Sequence, residues 1–111
     1  MTVAGQFSLG ADGQARIAGE LTLDTVSTVF RQAEIAATQG RQIADVDLAA
    51  VSRVDSSGLA LLLEWQSLAH LGGRVMRIRN APPGLLSLTR LCEASDLMEF
   101  EGRTPTPAVV S

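Results

Sequence analysis

The chain predicts an α/β fold: a small mixed β-sheet of four to five strands with its α-helices packed mainly on one face. Three features carry that expectation. Two short runs, Gln6 to Leu9 and Gln14 to Ala18, flank Gly10-Ala11-Asp12-Gly13, a turn sequence that joins adjacent antiparallel strands. Strand-like and helix-like periods then alternate, the order expected when helices link parallel strands. Residues 46–63 pass from an apolar strand through two hydroxyls and a glycine straight into a leucine-rich helix. The 111 residues suit one domain and can bury a core without metal or disulfide support.

The second hairpin arm offers Ala15, Ile17 and Leu21 to that core. Thr22 or Asp24 is placed to cap the first helix, read over Thr25 to Thr38. There Val26, Val29, Phe30, Ala33 and Ala37 recur at helical spacing before Gly40 stops it. Gln42 to Leu48, with Ile43, Val46 and Leu48 apolar, suits a central strand. The helix after Ser57 should reach about Leu71 and stop at Gly72-Gly73. Arg74 to Arg79 alternates charged and apolar residues and reads as a further strand on an exposed edge. Pro82-Pro83 opens a last helix, where a missing N–H costs nothing, and Leu85, Leu86, Leu88, Leu91 and Cys92 supply its apolar side. Leu97 to Phe100 reads as a short strand or turn. Residues 5–100 then form the domain and 101–111 a flexible tail.

Composition narrows the function. Hydrophobic residues make up 46% and aromatics only 4%, so the core is built from aliphatics and alanine. The net charge of −3 and scattered arginines, with only Arg74, Arg77 and Arg79 close together, argue against a nucleic-acid partner. One cysteine, Cys92, excludes an internal disulfide; it fits a reducing compartment and is expected as a buried structural thiol. Met-Thr-Val-Ala-Gly-Gln lacks a basic n-region and a long apolar h-region, so no signal peptide is expected, and the apolar run Leu59 to Leu63 falls far short of the ~20 residues of a membrane span. A cytoplasmic protein without direct membrane insertion is expected.

Ser56 and Ser57 lie where unpaired helix N–H groups and the positive end of the helix dipole gather. Asp55 or Ser56 can cap the helix, for about 1 kcal/mol, while Gly58 allows close strand-to-helix approach. The same hydroxyl can face a partner or a kinase, and a phosphate there would add close to two negative charges. Enzyme chemistry finds no support. A serine hydrolase needs a histidine base, and the sole histidine, His70, sits about 20 Å along the same helix at 1.5 Å per residue. One His and one Cys make no metal site, and no nucleotide-binding loop is present. No catalytic residue, metal or cofactor is expected.

The same helix is apolar around much of its circumference. Leu59, Leu62, Leu63, Gln66 and Ala69 share one face; Leu61, Trp65, Leu68 and Gly72 share another. Either both stripes fill the core, or Trp65 and some leucines form an exposed patch that docks a partner.

Asp47-Leu48 followed by Val51-Ser52-Arg53-Val54-Asp55-Ser56-Ser57-Gly58-Leu59-Ala60-Leu61-Leu62-Leu63 resembles the signature of the STAS domain family, the sulfate-transporter and anti-sigma-factor-antagonist domains. Gly19-Glu20-Leu21 and Leu71-Gly72-Gly73 support the match. Within the family the run is most similar to the MlaB-type subunit of phospholipid-transport ABC complexes. That resemblance implies a non-catalytic subunit that binds the cytoplasmic ATPase at the inner face of the inner membrane and supports its assembly and activity. Carried over, the contact falls on Ser56 with Ser57 and Gly58 beside it, and the exposed-patch reading of the helix adds Leu59 and Trp65 as contact candidates. The Asp-Ser-Ser-Gly-Leu spelling pulls toward anti-sigma-factor antagonists, which implies an anti-sigma kinase as partner and phosphorylation of Ser56. Thr22 stands where both branches commonly carry Asp.

Overall fold

The structure, a computed structural model, describes residues 5–92 together with Met98 and Phe100. β1 (Gln6–Leu9) turns through Gly10 to Gly13 and returns antiparallel as β2 (Gln14–Leu21), with Phe7 opposite Ile17. α1 (Val26–Thr38) then carries the chain back to β3 (Asp45–Val54), which lies parallel to β2. α2 (Ser56–Leu71) repeats the crossover to β4 (Arg77–Arg79), parallel to β3, and α3 (Pro83–Leu91) follows. The sheet order is β1-β2-β3-β4. Successive parallel crossovers of one hand in one direction put their helices on the same side of a sheet. The result is the small mixed sheet with one helical face that the sequence predicts.

Alternation sorts the sheet. Along β2, Ala15, Ile17 and Leu21 are buried under the helices while Gln14 and Arg16 face solvent. β3 starts the same way, with Val46 and Leu48 inward, and then departs. It spends ten residues alongside eight of β2, with register shifts opposite Arg16/Ala18 and Gly19/Glu20. Each extra residue flips the alternation, so Val51 rather than Ala50 enters the core. The strand therefore continues beyond Leu48, where its apparent pattern stops, as far as Val54. Asp47 supports the first irregularity by accepting the Ala49 N–H at 2.9 Å.

The helix ends follow local chemistry. In α1 and α2 the residues after the C-cap, Gly40 and Gly73, have φ of +76° and +73°. Arg41 and Arg74 then donate back to Ala36 and Ala69, the paired return bonds of a glycine-terminated helix. Neither Thr22 nor Asp24 caps α1. The Thr25 hydroxyl instead accepts from Thr22 N–H at 3.0 Å and donates to Glu20 O at 2.6 Å. This folds the β2–α1 connection on itself and leaves the buried Thr22 Oγ1 without a hydrogen-bond partner among the described residues.

α2 is the central helix, packed on the sheet and against both α1 and α3. With neighbours on three sides it buries both apolar stripes over most of its length. Trp65 is only 6% exposed and meets Phe7 edge to face, with ring centroids 5.7 Å apart. Surplus apolar surface falls instead at its C-terminal end, on Leu68 and Leu71. On α3 only Leu85 and Thr89 are fully buried. Leu91 and Cys92 are exposed, so the expected structural thiol faces solvent at the helix end. Phe100 pairs with Ile78 beside β4; the proposed tail, residues 101–111, lies outside the described residues. At the opposite edge, the outward N–H of Phe7 on β1 is taken by the Gln32 side chain at 2.8 Å.

Candidate functional site at the start of α2

The site is built around Asp55, the extended residue between β3 and α2. Its Oδ1 accepts from Ser57 N–H at 2.9 Å and Gly58 N–H at 3.2 Å, filling two of the helix's unpaired donors. Its Oδ2 accepts from Leu23 N–H at 3.0 Å, and its own N–H reaches Leu21 O at 3.3 Å. One carboxylate thus caps α2 and fastens the β2–α1 connection to the same corner. Burial pushes the Asp55 carboxyl up. The N–H groups of Leu23, Gly58 and Ser57, with Arg53 nearby, outweigh that and hold it below the ordinary aspartate value.

Gly58 is required by sterics. A Cβ there would stand 2.2 Å from Leu21 O and 3.0 Å from Val54 Cγ1, because the end of β2 runs directly against the first turn of α2. Leu59, at 3% exposure, points into the core. The cap role therefore falls to Asp55, and Ser56 is the first helical residue, with its side chain exposed. Ser57 is half-buried beside it.

Of the residues singled out from sequence, Ser56, Ser57 and Gly58 form one corner, and Ser56 is the one that faces out. Leu59 and Trp65 face inward. A Trp65 contact with a protein partner at this corner does not fit, since the indole is only 6% exposed, packs edge to face on Phe7 and lies more than two turns along α2 from Ser56. A residue the sequence reasoning passed over joins the corner instead. Leu23 is 71% exposed, an apolar side chain in the connection tied to Asp55. The signal for it was an apolar residue inside Thr22-Leu23-Asp24-Thr25, a stretch whose other members suit a polar loop. Ala60, one helical turn past Ser56, is also exposed. The outer face is therefore small, hydroxylated and partly apolar, and Asp24 and Arg53 are exposed around it.

Chemically this corner can present a hydroxyl at a helix N-terminus and hold it rigidly. His70 stands exposed in the last turn of α2, the opposite end from Ser56. Among the described residues no group of three or more His, Cys, Asp or Glu side chains could hold a metal ion. Among them, too, no helix is long and apolar enough to cross a membrane.

A family model described as "Mlab, STAS domain" matches residues 7–99. No curated protein sequence matches the chain. Among solved structures, the anti-sigma factor antagonist SpoIIAA in its unphosphorylated form superposes with a TM-score of 0.63 at 19% identity, over 91% of this chain and 90% of that one. The Bacillus cell fate determinant SpoIIAA in its phosphorylated form gives 0.62 at 19% identity, over 96% of each chain. The shared feature at that identity is the fold.

Proposed function

The chain belongs to the STAS domain family, and on that premise we propose that it is a non-catalytic regulatory subunit of a phospholipid-transport ABC complex. It binds the cytoplasmic ATPase at the inner face of the membrane and supports that subunit's assembly and activity. The observation that carries this reading is the corner at the start of α2. Ser56 is held outward by the Asp55 cap, with exposed Leu23 fastened to the same carboxylate. A small rigid surface of hydroxyl and apolar groups suits contact with another protein surface. The MlaB-type family match over residues 7–99 supports the choice of an ATPase as partner.

The test is purification of the tagged chain from its native host. An ABC ATPase subunit should co-purify, and Ser56→Asp, which adds charge at the contact, should lose it. Recovery of a histidine-kinase-fold protein with no ATPase overturns the reading. It would establish the second one: an anti-sigma-factor antagonist that binds a kinase and is switched off by phosphate on Ser56. That alternative draws support from the Asp55-Ser56-Ser57-Gly58 spelling and the exposed Ser56. Incubation with the recovered kinase and ATP, followed by mass spectrometry of the α2 peptide, tests it directly.

A further inference from the structure

Between the C-terminal halves of α1 and α2 lies a cleft of about 410 Å³, within the range of small-molecule sites. Trp65 and Met76 form its floor, and Phe30, Ala37 and Leu68 are among its walls. Phe30 and Leu68 are exposed, 38% and 52%, so apolar surface continues from the cleft to its mouth. A cleft lined by apolar side chains that opens to solvent has room for a hydrocarbon chain.

Charge indicates which occupant. Arg41 and Arg74 both line the cleft, and each is steadied by donating to a backbone carbonyl, Leu9 O and Ile43 O respectively. Among the described residues neither has a carboxylate within 4.0 Å, in a chain whose net charge is −3. Glu34 also lines the cleft, but exposed to water and outnumbered by the two guanidinium groups. A purely polar anion would waste the apolar walls, and an apolar or cationic molecule would leave the arginines unmatched. We propose that the cleft binds a single-chain amphipathic anion, a long-chain carboxylate or a monoalkyl phosphate. Its tail lies over Trp65, Met76 and Leu68, and its head accepts charge-assisted hydrogen bonds from Arg41 and Arg74.

The site is separate from the partner corner, since Trp65 lies about 14 Å along α2 from Ser56 at 1.5 Å per residue. Binding to the isolated chain can therefore succeed or fail whatever protein Ser56 contacts. Trp65 is the chain's single tryptophan, so its fluorescence reports on the cleft floor. The full chain is titrated with dodecanoate and with dodecyl phosphate below their micelle concentrations. Either or both should give a saturable response with a midpoint below about 100 μM, and which of them does so identifies the head group. Arg41→Gln combined with Arg74→Gln should raise that midpoint roughly tenfold or more. Ala37→Phe, at an exposed helical position on the wall, should fill the cleft and abolish the response while leaving the circular dichroism unchanged. The proposal is overturned if neither anion saturates, if dodecyltrimethylammonium binds as well, if inorganic phosphate competes as well as the alkyl anions, or if Ala37→Phe binds normally.

Discussion

Replacing Gly58 with alanine separates two effects that usually travel together. Alanine in a helix interior is favoured over glycine by about 1 kcal/mol. At Gly58, however, the new methyl would stand 2.2 Å from Leu21 O and 2.9 Å from Leu21 Cγ, against an ordinary contact of 3.4 Å or more. The first obstacle is backbone, so the end of β2 and the start of α2 must part by about 1 Å. Overpacking of this kind costs about 1–3 kcal/mol. The movement also strains the bonds that cross the gap, Asp55 N–H to Leu21 O and Leu23 N–H to Asp55 Oδ2, each worth about 1 kcal/mol. After the propensity gain is subtracted, Gly58→Ala should destabilise by about 2–3 kcal/mol, lowering Tm by about 10 °C in a domain of this size. Gly84→Ala is the control. It lies in the first turn of α3 with nothing within 4 Å of a new Cβ, and should be neutral or stabilising by up to ~1 kcal/mol. Urea and thermal melts followed by Trp65 fluorescence and circular dichroism measure both. A Gly58→Ala variant as stable as the parent, or less affected than Gly84→Ala, would falsify the close-approach account.

Ser56→Ala should change stability by less than about 0.5 kcal/mol, because Asp55 rather than Ser56 supplies the cap, and a larger loss in a urea melt would return the cap to Ser56. Asp55 and Asp47 both have folded pKa values below their unfolded ones. In Asp47 the cause is the Asn80 amide, then the Ala49 N–H, with Arg79 and Arg16 nearby. Their stabilisation is therefore complete above about pH 5, well above the unfolded values, and is lost as pH falls through the lower folded values. The urea midpoint should drop between pH 5 and pH 3, less steeply in Asp55→Asn; identical slopes would remove Asp55 from the acid transition. Thr22→Val keeps the shape but removes a buried hydroxyl with no partner among the described residues, and should stabilise by about 0.5–1 kcal/mol in the same melts; a loss would mean that the hydroxyl is satisfied in solution.

The hairpin, the three helices and the serine corner were readable because local chemistry settles them. Glycine at a helix end, proline at a first turn and apolar spacing act over a few residues. The span Gln42 to Leu48 misses β3 at both ends: residues 42–44 precede the ladder, and two irregularities break the period at Ala49 and Ser52, where a two-residue rule cannot follow a strand that changes face. Trp65 was ambiguous for a different reason. A helix with apolar residues nearly all round is surplus on an edge but necessary in the middle of a layer, and only the packing of α1 and α3 decides which. Leu91 and Cys92 show the converse: their spacing matches the buried side of α3, yet among the described residues nothing covers that end of the helix. Leu23 carried no periodic signal at all. Its place at the corner comes from the long-range bond between its N–H and Asp55, 32 positions away.

Gln32 has a consequence for how the molecule keeps company. A sheet edge offers a ladder of free main-chain donors and acceptors, and any other extended chain can use it as a template. In β1 that ladder is four residues long, and the Phe7 donor is already occupied by a side chain reaching down from α1. Indiscriminate strand-to-strand association is discouraged along this border. Gln32→Leu should restore the template and lower the concentration at which the chain aggregates, although no residue of the helical corner is touched.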